Sequence, residues 1–250
     1  MSVLLALLTF AVFIGISYFS ERMKKEMASK ADPEVFPGAR QPAGAAAPSP
    51  VPEVVLPSAE DGWRRVEGYR MPEGLYYHQG HMWVALQEAG TAVIGIDEFV
   101  GKLMGKPDSM KLPRVGKKYK QGEKVLSFRR EDKRLDLVCP VDGEVIAING
   151  RAIESPAVLT REPYGAGWLV MLKTRDMKRN LRNLLSGQLA RSWMEDSASK
   201  LRAMFAGSLG VVYGDGGLPQ EGLADHFEAE DWNRLVKQIF MVEHTDDPIS

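Results

Sequence analysis

The sequence predicts a mainly β fold: a small antiparallel barrel or sandwich with one short helix, behind an N-terminal transmembrane helix and ahead of C-terminal α-helices. Three observations carry this reading. Residues 81–172 hold short apolar runs separated by Gly, Asn, Asp or Pro, the pattern of β-strands joined by tight turns. The first twenty residues hold a long uncharged apolar run. After Asp176 the apolar spacing becomes helical, with neighbours near four residues apart.

The apolar run spans Val3 to Phe19 without a charge. At ~1.5 Å per residue it extends about 25 Å, slightly less than a bilayer core, so it fits without tilt. Tyr18 falls at the interface. Ser17-Tyr18-Phe19-Ser20 is not a small-x-small cleavage site, and no basic residue precedes the run, so a retained anchor over residues 1–22 is expected instead of a cleaved signal. Arg22, Lys24, Lys25 and Lys30 all follow it, which places the rest of the chain on the cytoplasmic side. Residues 31–58 are dominated by Pro and Ala and read as a semi-extended linker.

Globular composition begins near Trp63, and residues 63–176 read as the β domain. The expected strands are residues 81–86, 91–96, 125–128, 135–138, 143–148 and 167–172. Asp97 to Leu103 reads as the one short helix, with Asp97 as N-cap and Phe99, Val100 and Leu103 on one face. Gly116, Gly122 and Gly143 fall at turns, where positive φ or close backbone approach favours glycine. Trp83, Tyr164 and Trp168 offer large apolar surfaces for the core.

Residues 177–250 read as an amphipathic helical extension. One stripe runs through Leu189, Trp193, Leu201 and Phe205, with Met204 beside it and Ser197 at its weak step. A second joins Trp232, Leu235, Val236, Ile239 and Phe240. Both are expected to be core or docking faces. The loop Tyr213-Gly214-Asp215-Gly216-Gly217 lacks the lysine and spacing of a phosphate-binding loop and reads as a plain connection. Arg175, Lys178, Arg179 and Arg182 read as a solvated helix face able to touch anionic lipid or a partner.

Composition and motifs exclude several functions. Formal net charge is −1, so no nucleic-acid partner is expected. Cys139 is the sole cysteine; it forms no intrachain disulfide and reads as a small buried apolar residue. His78 and His81 have no third ligand near them, so no metal is expected. No nucleophile–base arrangement is evident, and Glu131, Asp132, Asp136 and Asp142 read as a solvated acidic face. The expectation is a protein that is not an enzyme.

The order of several segments carries a resemblance. Tyr77-His78-Gln79-Gly80-His81-Met82-Trp83 opens the series. It continues with Thr91-Ala92-Val93-Ile94-Gly95-Ile96, then Leu112-Pro113-Arg114-Val115-Gly116 and Gly122-Glu123. Next stand Asp136-Leu137, Pro140-Val141-Asp142-Gly143-Glu144-Val145, Asn149 and Glu162-Pro163-Tyr164-Gly165-Ala166-Gly167-Trp168-Leu169. The stretch Tyr77 to Leu172 thereby resembles the H protein of the glycine cleavage system, a lipoyl-carrier fold. The structural positions implied are Tyr77, His81, Trp83, Gly116, Gly122, Asp136, Pro140, Gly143, Tyr164, Gly165, Gly167 and Trp168.

The resemblance also implies a function. In that family one lysine at a β-hairpin tip carries lipoic acid in amide linkage. The arm moves an aminomethyl group and electrons between partner enzymes. That lysine lies ten residues after the turn glycine and eight before the proline. Counting from Gly122 and back from Pro140 both give Asp132. Lys133 is displaced by one, and a one-residue shift in a hairpin turns a side chain to the other face. Two readings stay open. In one the lipoyl site is lost, and the domain serves as a membrane-held scaffold or complex subunit without a cofactor. In the other Lys133 carries lipoate and the chain is a working carrier. Either way the expected partners are other protein subunits and, through residues 3–19, the membrane.

Overall fold

The computed structural model describes Val54, Leu56, residues 62–208 and residues 219–240. The expected anchor, nearly all of the linker and the loop at 213–217 lie outside the described residues. Among the described residues no helix is long and apolar enough to cross a membrane. Val54 and Leu56, inside the expected linker, are partly buried against the core, so the globular unit begins earlier than composition indicates.

The described residues are mainly β, in three antiparallel sheets. Strands β1 (Trp63–Val66) and β2 (Tyr69–Pro72) form the first. The six-stranded second sheet has the order β3-β4-β5-β11-β10-β7, from β3 (Tyr76–His78), β4 (Met82–Gln87), β5 (Thr91–Ile96), β7 (Lys118–Tyr119), β10 (Gly143–Ile148) and β11 (Val170–Lys173). The third joins β6 (Ser109–Lys111), β8 (Lys124–Arg130) and β9 (Lys133–Val138). Four of the expected strands match β4, β5, β9 and β10 closely. The expected 125–128 strand extends to both sides as β8. The strand expected at 167–172 starts only at Val170, because Gly167 and Trp168 are held in a turn by bonds to the carbonyls of Glu162 and Gly165. Strands β1, β2, β3, β6 and β7 have two to four residues each, too short to show a period of two.

Helix α1 (Glu98–Met104) forms where expected, and Asp97 caps it by accepting from the Val100 N–H at 3.0 Å. Phe99, Val100 and Leu103 are buried. It is not the only short helix in the β region. Helices α2 (Gly150–Glu154) and α3 (Val158–Arg161) lie between β10 and β11, and Asn149 caps α2 through the Arg151 N–H. Helix α4 (Met177–Leu181) follows β11 and leads into the long α5 (Gly187–Ser208).

The buried line of α5 is Ala190, Met194, Ala198, Leu201 and Phe205. Leu189 is 70% exposed, and Trp193 is only partly buried. A constant step of four drifts about 40° per step on a helix of 3.6 residues per turn. The expected line 189–193–197–201–205 therefore winds roughly 160° around the helix, and only its second half stays on the core. The last segment holds helix α6 (Ala229–Leu235), which continues as a π-turn over Val236–Phe240. Its expected stripe is buried throughout: Trp232, Leu235, Val236, Ile239 and Phe240.

Candidate functional site

The β8–β9 hairpin closes on the pair Arg130↔Lys133, which leaves Glu131 and Asp132 as a two-residue turn. Glu131 takes φ 52, a left-handed conformation uncommon outside glycine but common in tight hairpins. Its N–H donates to Asp108 Oδ2 at 2.7 Å, fixing the turn against the approach to β6. Asp132 holds the turn's second position with its side chain 62% exposed. Lys133 is the first residue of β9 and only 7% exposed. Its Nζ reaches back to Asp132 Oδ1. That hydrogen bond holds the Asp132 carboxyl below its usual range.

Lys133 is buried although it adjoins the exposed turn, and the cause lies a hundred residues downstream. The indole N–H of Trp232, on α6, donates to the Arg134 carbonyl at 3.0 Å. Arg130 makes a two-point pair with Asp225 and donates to the Met104 carbonyl. Upstream, the Gly222 N–H donates to the Lys102 carbonyl at 2.8 Å, and Lys102 Nζ donates to the Pro219 carbonyl at 2.8 Å. Residues 219–240 thus run as a strap from the end of α1 across the hairpin. A cleft of about 300 Å³ remains between hairpin and strap, lined by Arg129, Asp132, Lys133, Arg134, Ala229, Trp232 and Asn233.

Eight residues past Trp232, about 12 Å along the helix, Phe240 reaches the buried ring of His81. The His81 ring stacks on Phe99 at 4.3 Å and touches Trp193 at 4.4 Å and Phe240 at 5.2 Å, by ring centroids. His81 ends the three-residue β3–β4 loop with φ 61, the left-handed slot of that hairpin class. Its Nδ1 stands 2.7 Å from Asp97 Oδ2, with both side chains fully buried. No hydrogen-bond partner meets Nε2 among the described residues.

The remaining motif residues hold the frame. Trp83 Nε1 donates to the carbonyls of Ile96 and Pro163, and its ring lies against Gly95, where a Cβ would come within 2.5 Å. Tyr164 donates to the Arg70 carbonyl at 2.7 Å and accepts from the Glu98 N–H. Tyr77 donates to the Pro72 carbonyl and exchanges backbone bonds with Leu185. Burial pushes both phenols well above the usual tyrosine range. Gly116 and Gly122 have φ of 85 and 90. At Gly143 and Gly167 the need is space, since a Cβ would meet the carbonyls of Lys173 and Glu162 at 3.0 and 2.8 Å. Gly165 lies in the same turn as Gly167, and the Pro140 carbonyl accepts from Gln121. Trp168 is only partly buried, less central than expected.

Asp136 is also corrected. It is fully buried, not solvated. Lys124 Nζ lies 2.6 Å and Arg134 Nε 3.0 Å from its oxygens. Burial alone would raise its carboxyl; hydrogen bonds from Lys124, Ser127 and Arg134 outweigh that and hold it low. Cys139 is buried with its thiol pushed up to about 12, too high for a nucleophile. Among the described residues no group of acidic, histidine or cysteine side chains suits a metal ion. A cleft of about 420 Å³ runs between the β2–β3 turn and the start of α5 and includes no hairpin residue.

The family model described as glycine cleavage H-protein matches residues 75–197. A probable glycine cleavage system H protein from Pyrococcus abyssi is 33% identical over 120 residues, which cover 48% of this chain and 89% of that protein. The glycine cleavage system H protein of Hydrogenovibrio crunogenus is 36% identical over 107 residues, 43% of this chain and 83% of its own. A crystal structure of a glycine cleavage system H protein from Mycobacterium marinum shares 24% identity at a TM-score of 0.44, covering 50% of this chain and 98% of that one.

Proposed function

The chain belongs to the glycine cleavage H-protein family, carriers and not enzymes, and from that membership we propose that it is a membrane-tethered scaffold or subunit whose hairpin no longer bears a lipoyl arm. The observation that carries this reading is the hairpin tip. The exposed turn position holds a carboxylate, Asp132, which cannot form the amide. The neighbouring amine, Lys133, is drawn into β9, paired with Asp132 and walled by α6. A ligase needs the lysine extended from the turn, and α6 walls the approach to Lys133 while Asp132 stays exposed.

Tethering is part of the proposal. The uncharged run at Val3 to Phe19 and the cations that follow it hold the domain on the cytoplasmic side within reach of other membrane-associated subunits. The strap and the second half of α5 lie beyond the residues the family model matches and supply the surfaces that distinguish this module from a bare carrier domain.

Intact-mass measurement after co-expression with lipoate ligase tests the lost arm. The expected result is an unmodified mass. A gain of one lipoyl group mapped to Lys133 would establish the working carrier and sink the scaffold. Retention of the chain in carbonate-washed membranes tests the tether, and release by the wash would refute it.

A further inference from the structure

We propose that the face formed by the Arg114–Lys117 turn, the edge strand β7 and helix α4 docks on an anionic membrane, with the phosphate-bearing headgroups of acidic lipids as its ligand. The turn is closed by the Lys117 N–H donating to the Arg114 carbonyl at 3.2 Å. Gly116 takes the left-handed position that such a turn requires. This sets Val115 at the outer corner, 61% exposed. The β10 bulge between Val145 and Ala147 holds the turn through two backbone bonds, Gly116 N–H to the Val145 carbonyl and Val145 N–H to the Lys117 carbonyl. Ile146, the bulge residue, is itself 39% exposed. Two branched apolar side chains therefore stand in water beside the exposed cations Arg114, Lys118 and Lys120.

Helix α4 joins this surface through Gln121, which donates to the Asn180 carbonyl and accepts from the Asn183 amide. Asn180 is the buried side of α4, so Lys178, Arg179 and Arg182 remain exposed. The carboxylates of the region face backbone N–H groups: Glu123 that of Lys120, Asp142 that of Gln121, Asp176 that of Arg179. Glu144 approaches Lys118 only at 3.7 Å. The positive charge is local, since the whole chain is near neutral.

A basic ring around an exposed apolar corner matches a membrane interface, where the corner enters the headgroup layer and the cations meet phosphate. An acidic protein surface would satisfy the cations and leave Val115 and Ile146 unexplained. The inference rests on the tether proposed above for its proximity to the bilayer, and it fixes which way the tethered domain faces.

The test uses the whole chain in phosphatidylcholine vesicles with and without phosphatidylglycerol, read by acetylation of individual lysines. Lys118, Lys120 and Lys178 are expected to react several-fold more slowly on the anionic vesicles, while Lys111 and Lys200 keep their rates. High salt should abolish the difference, as for any exposed charge contact. Replacing Lys118, Lys120 and Arg179 by Gln should lower the affinity of the face on the order of a hundredfold and leave Lys178 unprotected. Equal rates on both vesicles, or equal slowing of Lys200, would overturn the proposal. So would protection that appears only with added membrane proteins, which would assign the face to an acidic partner. Failure of the tether is separate: the chain would wash off neutral vesicles, and binding to anionic ones would then be wholly salt-sensitive.

Discussion

The Trp232 indole donates to the Arg134 carbonyl one residue beyond Lys133, so the last helix satisfies an edge group of β9 at the point where the candidate lysine leaves the turn. Strand β9 is the outer strand of its sheet, and an outer strand has backbone groups to satisfy. Trp232 covers that edge and buries Lys133 in the same step.

Trp232→Ala is therefore expected to do two things. Loss of a buried indole should cost about 3–5 kcal/mol, read by urea unfolding. In the protein that remains folded, Lys133 should acetylate faster, because the wall of its cleft is gone. Trp232→Phe keeps most of the packing and drops one hydrogen bond, at about 1 kcal/mol. Unchanged Lys133 reactivity in a folded Trp232→Ala protein would show that the strap does not shield the lysine.

Asp132→Lys puts an amine at the exposed second position of the turn. It also removes the Lys133 partner and sets two cations side by side, a surface penalty of at most about 1 kcal/mol. With lipoate ligase present, the expected product carries one lipoyl group on residue 132, located by peptide mass. Asp132→Gln should stay unmodified. If the lysine variant folds and remains unmodified, strap and hairpin together exclude the ligase, and the loss of function extends beyond one residue.

Much of this architecture is legible in sequence because its signals are local. The strands β4, β5, β8, β9 and β10 show as alternation, and the Asp97 cap as one residue before an apolar face. The tip position of Asp132 follows from the resemblance's two flanking counts, whereas the two-residue turn itself shows only in the β8–β9 register. What sequence hides is partnership at long range. The burial of Lys133 depends on Trp232, and that of His81 on Trp193 and Phe240. Gly95 reads as an ordinary strand residue, yet the Trp83 ring forbids a Cβ there. The half-wrong α5 stripe has a geometric origin, since a step of four winds off a face that steps of three and four together would hold.

Asp97 is expected to be worth more than a cap. One oxygen accepts from Val100 and the other meets His81, both out of solvent. Asp97→Ala removes both contacts and leaves a buried imidazole nitrogen without its partner. The combined cost should be about 3 kcal/mol. Asp97→Asn retains an oxygen for the cap and should cost about 1 kcal/mol. Urea titration of the two variants gives the comparison, and equal losses would mean the cap contributes nothing beyond the His81 contact.

His78 sets a pH dependence whose sign follows from its surroundings. Burial is the main cause that pushes its imidazole down from 6.5 to about 4, with His81 adding repulsion. The Gly80 N–H donates to His78 Nδ1 at 3.0 Å, which requires that nitrogen to be unprotonated. The folded state thus keeps His78 neutral where the unfolded chain would take a proton. Unfolding gains protons between the two pKa values, so stability falls as pH drops from about 6.5 towards 4 and levels off below. The limit of this contribution is about 3 kcal/mol, and partial solvent contact reduces it. His78→Gln keeps a hydrogen-bond acceptor for Gly80 without the titration. Its unfolding free energy, measured by urea between pH 4 and 7, should fall less steeply than that of the parent. Parallel curves would place the acid sensitivity elsewhere, with the buried Asp136 cluster the next group to test.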